Sequence, residues 1–144
     1  MTFSLPDINV LFVAGFGPIA ADLAASRALY LDTLRLPLKP LAESGDYLVA
    51  DTLGGVKHFA LWPLAQASQS CFGTEHWPED VTVPQSWLEF EVEDMATATA
   101  AVKQAGYVLL VDNRLEPWGQ SVTRFLSPEG ILVGVTHTPW LRSE

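Results

Sequence analysis

The chain has 144 residues, 49% hydrophobic and 17% charged, enough for one well-buried core or two small fused modules and too apolar for a disordered segment. Its formal net charge is −9, from 17 acidic and 8 basic residues, which makes nucleic acid a poor partner. The single cysteine, Cys71, excludes an internal disulfide and a thiolate metal cluster.

The N-terminal stretch is apolar, but it has no basic residue before Arg27 and carries Pro6 and Asp7. It reads as a buried strand rather than a signal peptide or membrane span, so a soluble cytoplasmic protein is expected. Ile8 to Phe16 is the first predicted strand, ending in a turn at Gly15-Phe16-Gly17-Pro18. Asp22 is a good N-cap for a helix that Pro37 stops. Leu23, Ser26, Leu29, Tyr30, Thr33 and Leu34 share one side of it at helical spacing. Leu38–Glu43, Tyr47–Thr52 and Val56–Leu61 are short strand candidates, separated by turns at Ser44-Gly45-Asp46 and Gly54-Gly55. Residues 63–85 are proline-bearing and polar, and read mainly as a linker.

The order then repeats. Ser86–Val92 is a strand, Asp94 caps a helix that ends at Gly106, and Tyr107–Val111 is a strand. Pro117-Trp118-Gly119 breaks the chain before the strand Gln120–Leu126. Pro128-Glu129-Gly130 then turns into the closing strand Ile131–Thr136. The division expected is a βαβββ module at 1–64, a linker at 65–85 and a second βαβββ module at 86–144, in a single compact domain. Strand alternation puts Trp87, Glu89 and Glu91 on one face and Phe90 and Val92 under the second helix. His58, Ala60 and Trp62 share a face in the fourth strand.

The segment from Glu116 to Pro139, a PWG turn feeding a strand, a Ser-Pro-Glu-Gly hairpin and a closing strand, resembles the C-terminal end of a known superfamily. This is the vicinal oxygen chelate group, the glyoxalase/bleomycin-resistance/dioxygenase proteins, and the PWG element is most similar to the bleomycin-resistance branch. DLAASRALYLDTLRLPL resembles its first helix, commonly D-L-x-x-S-x-x-F-Y-x-x-x-L-G-L, and WLEFEVEDM resembles the opening of its second module. The resemblance implies an α+β fold in which two βαβββ modules form a curled mixed sheet around a central cavity. It also implies that Val122, Arg124 and Leu126 project inward. In the metal enzymes of the group four cavity residues hold a divalent ion. The matching positions are Gly15, Ala60, Trp87 and Gly134, with His58 or Trp62 as alternatives to Ala60, depending on the register of the fourth strand. Gly15, Ala60, Trp87 and Gly134 offer no side-chain ligand, so neither a metal nor another cofactor is expected.

The expected function is metal-free binding of a small organic molecule, flat or cationic, such as a metabolite or antibiotic. Trp62, Trp87 and Trp118 would stack on it, Glu89 and Glu91 would attract positive charge, Arg124 would orient a polar group, and His58 would share the cavity. The alternative is a lyase, isomerase or dioxygenase-like enzyme with atypical metal ligands, or with acid–base chemistry by Glu89, Glu91 or His58. A third reading is a structural homodimer whose cavity is filled by its own side chains. No pattern singles out a catalytic group. A homodimer is expected, with no membrane partner.

Overall fold

The computed structural model describes residues 8–41 and 45–142. The strand β1 (Val10–Ala20) leads into helix α1 (Leu23–Arg27), which widens into a π-helical turn over Ala28–Thr33. Three short strands follow: β2 (Lys39–Pro40), β3 (Leu48–Ala50) and β4 (Phe59–Pro63). Helix α2 (Leu64–Phe72) precedes the second half, which consists of β5 (Ser86–Val92), α3 (Met95–Gln104), β6 (Val111–Leu115), β7 (Ser121–Leu126) and β8 (Leu132–His137). A 3₁₀ turn, Pro139–Leu141, ends the described chain.

The eight strands form one curled, unclosed sheet in the order β2-β3-β4-β1-β5-β8-β7-β6. The order is mirrored about the antiparallel β1–β5 pair, and β1–β4 and β5–β8 are its parallel pairs. This is the expected α+β architecture of two βαβββ modules. Asp22 caps α1 by accepting from the Ala25 N–H at 3.1 Å, and Asp94 caps α3 by accepting from Ala96 at 3.1 Å. Each half has its own outer core. Leu23, Tyr30 and Leu31 pack against Ala20, Leu48, Phe59 and Leu61 in the first, while Ala98 packs against Val92 and Val135 in the second. Among the described residues no helix is long and apolar enough to cross a membrane.

Four expectations are corrected. The strand β1 runs straight through Gly15-Phe16-Gly17-Pro18. These glycines mark a close approach of strands rather than a turn. A Cβ on Gly15 would stand 2.6 Å from the His58 carbonyl oxygen, and one on Gly17 would stand 1.9 Å from that of Ala60. In the first helix, Leu29 and Leu34 are exposed and Leu31 turns inward. The π-turn, closed by Leu34 N–H to Leu29 oxygen at 2.9 Å, resets the helical period there. Residues 65–85 are not a bare connection. They hold most of α2, whose buried Ala67, Ser68 and Cys71 face the inner core, and Trp77, whose ring meets Phe72 edge-on at 4.9 Å. Strand β6 begins at Val111, where the predicted strand Tyr107–Val111 was to end, and β2 is only two residues long. The rest of the Leu38–Glu43 prediction, together with Ser44, falls partly outside the described residues.

Candidate functional site

The inner face of the sheet encloses a cavity of about 490 Å³, within the range of small-molecule sites. Strand β5 supplies its centre, because alternation turns Trp87, Glu89 and Glu91 to the same buried side. The Trp87 indole is 3% exposed and donates from Nε1 to the Ala60 carbonyl at 3.1 Å. It meets Trp62 edge-on at 6.1 Å and His58 at 5.9 Å. Its ring also lies over β1, where a Cβ on Gly15 would come within 3.0 Å of it.

Glu89 stands in register with Gly15 on one side and Gly134 on the other. A Cβ on Gly134 would approach its Cγ to 3.2 Å, so this glycine forms the bed on which the Glu89 side chain lies. The carboxylate reaches Arg124 of β7, with Nη1 to Oε2 at 2.7 Å, and accepts from Gln120 at 3.0 Å. Gln120 also donates to Thr136 at 2.8 Å and accepts from the Trp118 indole at 2.9 Å. The Arg124 guanidinium rests 4.8 Å from the Trp62 ring centroid, a cation–π contact that holds the charge against an aromatic wall. An ordered polar row thus runs from buried Arg124 through Glu89 and Gln120 to Trp118, which is 56% exposed at the tip of the β6–β7 hairpin.

On the opposite wall the Tyr47 hydroxyl and His58 Nε2 are 2.7 Å apart. Burial holds the His58 imidazole below its ordinary pKa, against the opposing pull of Glu89 and Asp51. Burial, reinforced by Glu89 and opposed by Arg124, raises the Tyr47 phenol above its ordinary value. Both groups are therefore neutral at pH 7.

Trp62, Trp87, Glu89, Trp118, Arg124 and His58 all line this one cavity. Glu91 does not. It is fully buried beyond the cavity wall, where its Oε2 accepts from the Thr138 N–H and from Arg142 Nε, each at 2.6 Å. The cation attraction expected of Glu89 and Glu91 loses its basis, because an arginine already pairs each carboxylate. Sequence reasoning missed Tyr47, Gln66, Gln120 and Trp140 as lining residues. Gln120 was legible as the first residue of a strand that carries Arg124 on the same face. Trp140 lies in the C-terminal tail, and nothing in its sequence neighbourhood signals that this tail folds back onto the cavity.

A divalent ion does not fit the residues matched to the metal ligands. Gly15, Ala60 and Gly134 offer no side-chain ligand atom, and the Trp87 ring packs against Gly15 and the Ala60 carbonyl. Among the described residues no three His, Cys, Asp or Glu side chains converge as a metal site.

No protein-family model matches the chain, and no curated protein matches it by sequence. The fold is nevertheless that of solved members of the glyoxalase/bleomycin resistance protein/dioxygenase superfamily. One such member, from Vibrio splendidus 12B01, aligns at 14% identity and TM-score 0.57 over 92% of this chain and 100% of its own. A Streptomyces coelicolor methylmalonyl-CoA epimerase variant, in complex with 2-nitronate-propionyl-CoA, aligns at 16% identity and TM-score 0.55 over 94% of this chain and 100% of its own. Homoprotocatechuate 2,3-dioxygenase from Arthrobacter globiformis aligns at 20% identity and TM-score 0.58 over 93% of this chain but 38% of its own.

Proposed function

We propose that this protein binds a flat small organic molecule in its central cavity, without a metal. The observation that carries the reading is the wall chemistry: four indoles, of Trp62, Trp87, Trp118 and Trp140, surround a fixed polar row ending at Arg124. Aromatic walls bind planar groups by stacking, and the few convergent polar groups fix the ligand's orientation. Since Glu89 is neutralised within the cavity, the ligand needs a hydrogen-bonding edge rather than a net positive charge. The Streptomyces coelicolor epimerase structure, which holds an organic ligand, supports the use of this fold for such a purpose. We also propose a homodimer, supported by the exposed apolar Val10, Leu11, Val13 and Phe16 along β1.

The test is a fluorescence titration with a panel of planar aromatic compounds, neutral, anionic and cationic, together with elemental analysis of the purified protein. Saturable quenching is expected, weakened at least about ten-fold by Trp118→Ala, a half-exposed position whose loss spares the core. Absence of saturable quenching across the panel, or stoichiometric divalent metal in the protein, would sink the reading.

A second reading, metal-free acid–base catalysis, is favoured by the neutral Tyr47–His58 pair in the cavity wall. A neutral imidazole can accept a proton from a bound molecule. That reading expects deuterium to wash into a bound carbonyl compound in heavy water, and the exchange to stop in His58→Gln.

A further inference from the structure

The turn after β8 closes one side of the cavity, and among the described residues it is bonded to the sheet mainly through one carboxylate. Trp140 and Leu141 of the Pro139–Leu141 turn line the cavity, yet Trp140 is 49% exposed. The turn's backbone bonds are internal: Leu141 N–H to Thr138 oxygen at 3.0 Å and Arg142 N–H to Pro139 oxygen at 3.1 Å. Its attachment to the sheet runs through β5. Glu91 Oε2 takes both the Thr138 N–H and Arg142 Nε at 2.6 Å, and Arg142 Nη2 donates to the Val92 carbonyl. The Thr138 hydroxyl adds one contact to that of Thr136 at 3.2 Å.

Glu91 is an unusual anchor. Its residue is fully buried, and its second oxygen, Oε1, is buried with no hydrogen-bond partner among the described residues. Leaving a buried carboxylate oxygen unpartnered is costly, and water would satisfy it at once if the turn lifted. The two strong charge-assisted bonds hold the turn down, while the orphaned oxygen favours its release.

We propose that the turn Pro139–Leu141 is a lid on the central cavity, and that Glu91, with Arg142, is the latch that sets how often it opens. Release of Arg142 and the Thr138 N–H from Glu91 swings Trp140 away from the cavity mouth and admits a ligand. Closure returns the indole as a wall. The lid's role in admission rests on the proposed binding function, whereas the latch itself does not.

Two measurements separate them. Hydrogen exchange at the Thr138 amide reads the latch without any ligand. Glu91→Gln keeps the side-chain shape and removes the charge. Arg142→Lys keeps a positive charge beside the buried carboxylate while removing the second bond to the Val92 carbonyl, so it spares the fold if Glu91→Gln does not. Each is expected to speed Thr138 exchange about ten-fold while leaving Val135 in β8 unchanged. Stopped-flow binding of the aromatic probe 8-anilinonaphthalene-1-sulfonate reads admission, with association and dissociation both expected to accelerate in the two variants. Unchanged Thr138 exchange in both variants overturns the latch. Faster exchange with unchanged probe rates overturns the lid. If the parent protein binds no probe, the rates are read with the compound of the titration panel that quenches best; if none quenches, the binding reading fails, and the exchange result still decides the latch.

Discussion

At the scale of single residues the site depends on pairings that cannot be broken one side at a time. Arg124 is 2% exposed and Glu89 is 8% exposed, so each charge relies on the other and on Gln120 rather than on water. Arg124→Leu is expected to lower stability by about 3 kcal/mol, because it strands the Glu89 carboxylate, whereas adding Glu89→Leu should recover most of the loss. Urea unfolding of the two variants checks this. Additive losses would show that the pair does not act as a unit. Ser68 presents the opposite case. Its hydroxyl is fully buried in α2 with no partner among the described residues. Ser68→Ala should therefore raise stability by about 1 kcal/mol, seen as a rise of about 3 °C in Tm.

At the scale of elements, most strands and both helix caps were legible, whereas the position of β6, the length of β1 and the connection between the halves were not. Both aspartate caps, the 86–92 strand and its buried face follow directly from residue pattern, because alternation and N-capping are local. Helix α2 carries no such signal. Pro63 precedes it without a side-chain cap, its apolar positions Leu64, Ala67 and Cys71 are mostly small, and serines and glutamines fill the rest. It forms because that small-residue face fits tightly onto the inner core, which is a tertiary cause. The π-turn in the first helix was illegible for a related reason, since a 3.6-residue period predicts Leu29 and Leu34 inward where the wider turn selects Leu31. In the site, face assignments placed Trp87, Glu89 and Arg124 correctly. Glu91 was misplaced because alternation gives a side chain's direction but not what folds over its end.

At the scale of the whole molecule three buried titrating groups, His58, Tyr47 and Cys71, set a window of stability. Burial raises the Cys71 thiol, so the unfolded chain loses that proton first, and its contribution fades above about pH 9. His58 has a folded pKa below its unfolded value, so the unfolded chain binds the proton first as pH falls. Its contribution is complete above about pH 6.5 and is lost as pH drops toward the folded value. Tyr47 is raised on folding, so the unfolded chain loses its proton first, and its contribution fades above about pH 10. Urea midpoints should be level between these limits and fall on either side. Tyr47→Phe should flatten the part of the alkaline fall that begins near about pH 10, and His58→Gln should flatten the onset of the acid one. The proposed homodimer is checked by light scattering. Phe16→Glu, on the exposed outer side of the central strand β1, is expected to give the mass of a single chain, and a parent protein that is already monomeric would refute the assembly.

The mirrored sheet has a further consequence for how the chain could be divided. The inner core draws Ile19, Val49, Ala60 and Cys71 from one side of the Glu79–Asp80 turn and Trp87, Val111, Val122 and Leu132 from the other. Neither side can bury that cluster alone. A break at this exposed turn would therefore yield two pieces that are each incompletely folded, and that regain structure by zipping together along β1 and β5. Expressed separately and mixed, they would behave as a two-part switch. Circular dichroism and near-ultraviolet tryptophan signals would return only on mixing, and the cavity, which is built from both pieces, would appear at the same moment.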